Sequence, residues 1–105
     1  MIKVCHMTSA HDQDDLRVFY NECVSLAGNG ADTYLVAKGE SVDRDGVHII
    51  GVGAAPQSRV KRMTSFANKV YRTALSLDAD IYHIHDPELL PYGKKLKKHG
   101  KKVIF

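Results

Sequence analysis

The sequence predicts an α/β domain built on an open parallel sheet of about five strands, with helices on both faces. Short apolar stretches rich in β-branched residues alternate with longer stretches in which apolar residues recur every three or four positions. Glycine-containing or polar segments separate the two kinds of stretch. A length of 105 residues suffices for one hydrophobic core but not for two, so 1–105 is interpreted as a single domain.

The first half of the chain is predicted to contain three strands and one helix. Residues 2–7 are apolar and form the first strand, and a polar loop follows. A helix then begins near Asp14 and ends where Gly-Asn-Gly at 28–30 stops it. Residues 33–37 and 47–52 form the second and third strands. The segment between these two strands, Gly39 to Gly46, is polar and glycine-bounded and is predicted to be a loop.

The second half is predicted to contain a long helix, a strand, a shorter helix and the start of a fifth strand. The long helix spans about Gln57 to Leu77. Its apolar stripe comprises Val60, Met63, Phe66, Ala67, Val70, Tyr71, Ala74 and Leu77. The strand at 81–84 ends before Pro87, because proline disfavours a helical conformation in the residue before it. A third helix begins near this proline and ends at Gly100, and 102–105 starts the fifth strand.

Strands and helices that alternate in this way favour right-handed crossovers and the strand order 3-2-1-4-5. This order places the first and fourth strands side by side, with a ligand crevice at their carboxyl ends. The polar side chains expected at this crevice are Thr8, Ser9, His11, His85 and Asp86. We expect His85, at the end of the fourth strand, to donate a hydrogen bond to a hydroxyl group or an oxyanion.

His6, His11, His83, His85 and Asp86 are of the types that bind metals, but they do not by themselves predict a metal site. His83 and His85 are spaced to lie on the same side of one strand, as metal ligands often do. No pattern of a third or fourth ligand accompanies them, so neither a metal nor a cofactor is expected. His83 is interpreted as part of the packing beneath the crevice. His6, His48 and His99 are interpreted as structural residues.

Charge is distributed unevenly along the chain, although the formal net charge is only +3. Residues 1–56 carry 4 basic against 8 acidic side chains, whereas 57–105 carry 11 against 4. Much of the basic excess lies in Lys94, Lys95, Lys97, Lys98, Lys101 and Lys102. Such a cluster is either solvated helix surface or a face that attracts lipid head groups or a lipid-phosphate acceptor. No nucleic-acid recognition motif accompanies it, so a nucleic-acid partner is not expected.

Composition and motifs exclude several other classes of protein. The sequence contains no apolar run of membrane-spanning length and no signal peptide, so a cytoplasmic location is expected, with peripheral contact at the inner membrane through the basic face. Cys5 and Cys23 fall within apolar patterns and are interpreted as buried side chains. A glycine-rich dinucleotide fingerprint, a phosphate-binding P-loop and a nucleophile elbow are all missing. NAD-dependent, ATP-dependent and serine-hydrolase activities are therefore not predicted.

Two blocks of sequence resemble a known enzyme family. Residues 3–9 (KVCHMTS) with 14–23 (DDLRVFYNEC), and residues 79–90 (ADIYHIHDPELL), resemble the first-strand and fourth-strand regions of bacterial family 4 glycosyltransferases of the GT-B fold. The resemblance covers nearly the whole chain and is weakest over 39–57. It corresponds only to the amino-terminal, acceptor-side, Rossmann-like domain of that fold. The carboxyl-terminal domain, which supplies most nucleotide-sugar contacts in the family, has no counterpart in the sequence.

The resemblance implies a function and a set of site residues. It implies a retaining transferase that moves a sugar from a nucleotide-sugar donor to a glycan or lipid-linked acceptor without a bound metal, in cell-surface polysaccharide synthesis. The domain alone is expected to be inactive. His85 corresponds to the family histidine that hydrogen-bonds the donor sugar, and Asp86 with Pro87 would shape the turn and cap the next helix. The loop that includes Thr8, Ser9, His11 and Asp12 corresponds to the one that approaches the donor phosphates and the acceptor.

Some alternatives remain open at this point. Arg17 corresponds to a family arginine, and either a place in the cleft or a surface pair with Asp14 suits it. A standalone flavodoxin-like binding or signalling domain is the main rival, with Asp12 and Asp86 as its acidic pocket, and a metal-dependent hydrolase is the third reading. The short last strand at 103–105 would leave an unpaired edge, through which the chain is expected to form a homodimer.

Overall fold

The computed structural model describes residues 2–9, 19–54 and 56–105 and contains a mixed, mostly parallel sheet. The strands are β1 (Lys3–Met7), β2 (Asp32–Ala37), β3 (Val42–Arg44), β4 (Val47–Gly51), β5 (Ile81–Ile84) and β6 (Lys102–Ile104). Their order across the sheet is β3-β4-β2-β1-β5-β6. All neighbouring strands pair in parallel except β3, which runs antiparallel to β4. The α/β class predicted from the sequence is thus confirmed.

The number of strands and the full order differ from the prediction, because an additional edge strand, β3, lies in the segment that was predicted to be a loop; the five predicted strands keep their relative order. The turn that joins β3 to β4 consists of Asp45 and Gly46, whose φ angles are 51° and 83°. Positive φ at both central residues is typical of the tight hairpin turn that matches the twist of paired strands. The first pair beyond the turn is Arg44 with Val47. A two-residue hairpin therefore adds a sixth strand outside β4.

Three helical segments are described, and each combines two kinds of helix. The first, α1 (19–28), is π-helical over Phe19–Val24 and α-helical over Ser25–Gly28. The second, α2 (59–76), is α-helical over Arg59–Lys61, π-helical over Arg62–Phe66 and α-helical over Ala67–Ser76. The third, α3 (87–98), begins with the 3₁₀ turn Pro87–Leu89 and continues as the α-helix Leu90–Lys98. The predicted start of α1 near Asp14 lies outside the described residues.

The sheet buries an apolar layer on each face. On one face, side chains of β1, β2 and β5 pack against α2 and α3; this layer includes Cys5, Met7, Val36, Val70, Tyr82, Leu89 and Leu96. On the other face, a smaller layer lies between the sheet and α1; it comprises Cys23, Leu35, Ala37, Val47 and Ile49. Alternate residues of β2 enter opposite layers, as the two-residue period of a strand requires. Helices therefore cover both faces, as predicted.

Most of the predicted buried stripe of α2 is confirmed. Phe66, Ala67, Val70, Tyr71 and Ala74 are buried. Leu77 is only half-buried, and the side chain of Met63 lies outside the part that the structure describes. Val60 remains 70% exposed. It precedes the π-helical stretch, whose wider turn rotates the earlier residues away from the face that the later ones present to the sheet.

Both cysteines behave as the sequence predicts. Cys5 and Cys23 are fully buried free thiols, one in each apolar layer. Burial raises the pKa of Cys23 to about 12 and also raises that of Cys5.

The described part of the chain contains no helix that combines the length and the apolar character needed to cross a bilayer.

Candidate functional site

The candidate site lies at the carboxyl ends of β1 and β5, which are neighbours in the sheet. The chain adds β2 on one side of β1 and later adds β5 on the other, so the direction of sheet growth reverses between these two strands. Such a reversal opens a crevice at the carboxyl edge of a parallel sheet. The backbone continues to pair beyond the strands, because the amide of His85 donates to the carbonyl oxygen of Met7 at 3.1 Å.

Strand register brings three histidines to the same face of the sheet. His6 of β1 is the register partner of His83 in β5. His85 lies two residues after His83 and thus points to the same side. This is the face covered by α1, which contributes Glu22 from its π-helical stretch. The four side chains, His6, Glu22, His83 and His85, are called the His–Glu cluster below.

The ligand-type atoms of the His–Glu cluster converge. His6 Nδ1 lies 2.9 Å from His85 Nε2. Glu22 Oε2 lies 3.3 Å from both His83 Nδ1 and His85 Nε2, and 3.8 Å from His6 Nδ1. One nitrogen or oxygen from each of the four side chains falls within 4.8 Å of all the others. Histidine–carboxylate groupings of this kind act either as proton-sharing networks or as metal ligands.

The His–Glu cluster is largely shielded from solvent. The side chain of His6 is fully buried, that of His85 is 3% exposed, and those of His83 and Glu22 are 24% and 31% exposed. Burial, with smaller contributions from His85 and His83, lowers the pKa of His6 to about 3. His6 is therefore a neutral imidazole at ordinary pH, which is the form that binds metals.

A second polar group joins the loops that follow β1 and β5. The carboxylate oxygen Oδ2 of Asp86 accepts hydrogen bonds from Thr8 Oγ1 at 2.6 Å and from the Ser9 amide at 2.7 Å. The hydroxyl of Ser9 donates to Glu88 Oε1 at 2.5 Å. Thr8, Ser9 and Asp86 are all buried. These bonds hold the two loops together at the crevice.

The capping role predicted for Asp86 holds for its position but not for its side chain. Asp86 occupies the N-cap position of α3 with an extended backbone, φ −122° and ψ 141°, but its side chain makes no capping hydrogen bond. Its oxygen instead accepts from the loop after β1, because two donors there converge on Oδ2. The side chain of Asp86 therefore joins two loops, while its backbone carbonyl accepts a hydrogen bond from the Leu89 amide at 3.1 Å.

We expect Asp86→Ala to destabilise the fold, because it removes the acceptor of two buried donors. A buried donor left without a partner costs about 1–3 kcal/mol, so the loss should be about 2 kcal/mol. Asp86→Asn is the matched control, since its side-chain oxygen can accept the same two bonds and should preserve most of the stability. Chemical denaturation followed by circular dichroism measures both, and equal stability of Asp86→Ala and the unchanged chain would contradict the role assigned here.

Four of the seven predicted site residues lie at the predicted edge of the sheet, and the other three lie outside the described residues. Thr8, Ser9, His85 and Asp86 lie at the predicted edge of the sheet and are largely buried. Thr8 and Ser9 donate to Asp86, whereas Nε2 of His85 faces His6 and Glu22. Their contacts with a substrate stay predictions, as does the catalytic role of His85. The other three predicted residues, His11, Asp12 and Arg17, lie outside the described residues.

Sequence reasoning considered one member of the His–Glu cluster and set it aside, and it missed another. His6 was interpreted as structural, and Glu22 was not singled out. The signal for His6 was the alignment of its strand with β5, which pairs it with His83. Glu22 directly precedes Cys23, whose burial against the sheet brings the start of this helix to the same face. Both signals require the strand register and the path of α1, which a single sequence does not supply.

Comparisons with known proteins do not assign the chain to a family. No protein-family model matches it. The curated proteins likewise contain no match to this sequence. Its function is therefore argued from its residues and their geometry.

Proposed function

We propose that this chain is the acceptor-side, Rossmann-like domain of a retaining GT-B glycosyltransferase that moves a sugar from a nucleotide-sugar donor to a glycan or lipid-linked acceptor. One observation carries the proposal. Residues 3–9 and 79–90, which resemble this family, contain the adjacent strands β1 and β5, and the loops that follow these strands are bonded together at the crevice. Residues far apart in sequence thus form one local edge of the kind at which α/β proteins bind ligands.

The geometry fits one wall of a two-domain cleft. The Thr8–Asp86 contact fixes the spacing of the two loops. A fixed wall favours catalysis because the reacting groups are already positioned when the second wall closes on them. The donor nucleotide would be bound mainly by that second domain, so the present chain alone should not transfer sugar.

The expected role of His85 is to stabilise charge that develops as the sugar leaves its donor. The backbone of His85 stands at the crevice, next to the loop after β1. Its side chain is 3% exposed, and Nε2 faces the His–Glu cluster. A contact between this side chain and the sugar therefore requires a movement that exposes the ring.

The basic side chains of α3 support a membrane-associated acceptor only in part. Lys95 lies over the rings of Tyr71 and Tyr92, at 5.8 and 5.1 Å from their centroids. Lys97 lies 5.1 Å from the centroid of Phe105, and Lys101 pairs with Asp78. These three lysines also contribute to packing within the fold. All lysines between 94 and 102 except the half-buried Lys101 are exposed, and Lys94, Lys98 and Lys102 are the exposed ones outside these packing contacts.

A transfer assay on the protein encoded by the complete gene tests the proposal. The protein is incubated with individual nucleotide-sugars and with lipid-linked or glycan acceptors, and release of the nucleoside diphosphate is measured. We expect release that depends on the acceptor, together with a product whose anomeric configuration matches that of the donor. The chain of 105 residues serves as the control and should give no release.

Two results would count against the proposal. A product of inverted configuration would contradict a retaining mechanism. Absence of transfer with every donor, combined with stoichiometric phosphorylation by a small phosphodonor such as acetyl phosphate, would favour the flavodoxin-like signalling domain instead.

A further inference from the structure

We propose that His6, Glu22, His83 and His85 form a binding site for a divalent transition-metal ion, with Zn²⁺ the ion that suits them best. The inference goes beyond the proposed transferase activity and does not depend on it. It rests on the convergence of four ligand-type side chains from two strands and one helix.

Four of the six distances between ligand atoms of the His–Glu cluster are close to those of a tetrahedral site, and all six are within 4.8 Å. Metal–ligand bonds of about 2.0–2.1 Å set the ligand atoms of a tetrahedral zinc ion about 3.3–3.4 Å apart. The measured separations are 2.9 Å between His6 and His85, 3.3 Å from Glu22 to both His83 and His85, and 3.8 Å from Glu22 to His6. Small side-chain adjustments would equalise these distances around a central ion.

Hydrogen bonding does not account for the cluster as well as a cation does. Glu22 Oε2 is buried and has no hydrogen-bond partner among the described residues, although two ring nitrogens lie 3.3 Å away. A buried carboxylate oxygen without a donor is costly. His6 Nδ1 and His85 Nε2 share a hydrogen bond at 2.9 Å, but this bond leaves Glu22 Oε2 without a donor in the described part of the chain. A bound cation would neutralise the carboxylate and use its lone pairs.

The ligand types select the class of metal. Three imidazoles and one carboxylate suit zinc and related transition metals, whereas Mg²⁺ and Ca²⁺ prefer shells made wholly of oxygen. Four protein ligands fill a tetrahedral zinc ion and leave no position for a substrate, which is typical of structural sites. The low exposure of His6 and His85 agrees with a closed site of this kind.

The proposed ion would join elements that are remote in sequence. Glu22 belongs to the π-helical part of α1, and π-helical stretches occur often at functional sites. The histidines come from β1 and from the end of β5. A bound ion would therefore fasten α1 to the sheet directly beside the crevice. It would set the position of the loop that follows β5.

Zinc binding by the purified chain tests the inference. The metal-free chain is prepared with a chelator and titrated with Zn²⁺ in competition with a chromogenic chelator, and bound metal is measured by mass spectrometry. We expect one tightly bound zinc ion per chain, a higher melting temperature in the presence of zinc, and no such shift with Mg²⁺. Co²⁺ in the same site should give the strong visible absorption of a tetrahedral complex.

Two variants separate this site from adventitious binding. His83→Gln removes the most exposed of the three imidazoles and replaces it with a polar side chain, so the fold should persist. It should weaken zinc binding by more than the ~10–100-fold that loss of an outer partner of a ligand costs. His48→Ala is the matched control, because His48 also lies near two carboxylates, Asp43 at 2.9 Å and Asp32 at 3.6 Å, but outside the cluster.

The two variants give opposite expected results. His48→Ala should keep one zinc ion per chain, whereas His83→Gln should not retain it against the chelator. Circular dichroism confirms that each variant is folded before its metal content is compared. The inference is overturned if the unchanged chain binds no zinc, if His83→Gln binds zinc as tightly as His48→Ala does, or if bound Co²⁺ shows the weak absorption of an octahedral complex. Each of these results is independent of sugar transfer.

Discussion

Gly51→Ala should destabilise the fold by about 3 kcal/mol or more, beyond the usual range for an overpacked site. A Cβ atom at this position would lie 2.2 Å from the carbonyl oxygen of Gly39 and 2.4 Å from the carbonyl carbon of Glu40. Both are backbone atoms, so no side-chain rotation relieves the contact. The end of β4 would have to move away from the segment that precedes β3.

That movement would break several bonds at this edge of the sheet. The amide of Gly39 donates to the carbonyl oxygen of Gly53 at 2.8 Å, and the Gly53 amide donates back at 3.1 Å. The amide of Gly51 donates to Ser41 Oγ at 2.9 Å. Loss of these bonds adds to the steric cost. Urea unfolding followed by circular dichroism measures the total.

Gly28→Ala provides the matched control for this substitution. Gly28 is in the α-helical part of α1, and a Cβ atom there would meet nothing within 4 Å. Alanine is favoured over glycine in helices, so stability should be unchanged or should rise by up to about 1 kcal/mol. If the two variants have equal stability, the close approach at Gly51 does not constrain the fold.

The hairpin near Gly51 shows which strands local sequence patterns predict and which they miss. The apolar strands were predictable because β-branched residues and strand-length runs mark them, as at Val47–Gly51 and Ile81–Ile84. The strand Val42–Arg44 was missed because it has only three residues and two of them are charged. Its signal was the Asp45–Gly46 pair, which is typical of a two-residue hairpin. The residues of the turn, rather than the hydrophobicity of the strand, indicated that a strand precedes Asp45.

The candidate site was predictable in position but not in composition. The break before Pro87 places His85 at the end of a strand, and the order of alternating elements places that strand beside β1. The partners of His85 depend on register, which pairs His6 with His83, and on the path of α1, which brings in Glu22. A shift of one residue in the β1–β5 register would turn His6 to the opposite face. Local patterns do not fix this register.

His85→Ala, made in the protein that the complete gene encodes, should lower turnover by ~10²-fold. This loss is expected if the imidazole stabilises the charge that develops on the departing sugar. The backbone of His85 reaches the crevice, whereas His83 lies within β5, farther from the strand end. Both side chains belong to the His–Glu cluster. His83→Gln should therefore lower turnover much less, although both variants should lose zinc.

Comparison of the two variants separates contact with the sugar from positioning through a metal. Turnover is measured for each variant with saturating donor and acceptor, and zinc content is determined in the same samples. A contact between His85 and the sugar predicts at least a tenfold larger loss for His85→Ala than for His83→Gln, because metal loss is common to both. Equal losses would mean that His85 acts only through the cluster, and unchanged turnover in His85→Ala would remove it from the reaction. The imidazole at the end of β5 thus has two proposed roles that one pair of substitutions tells apart.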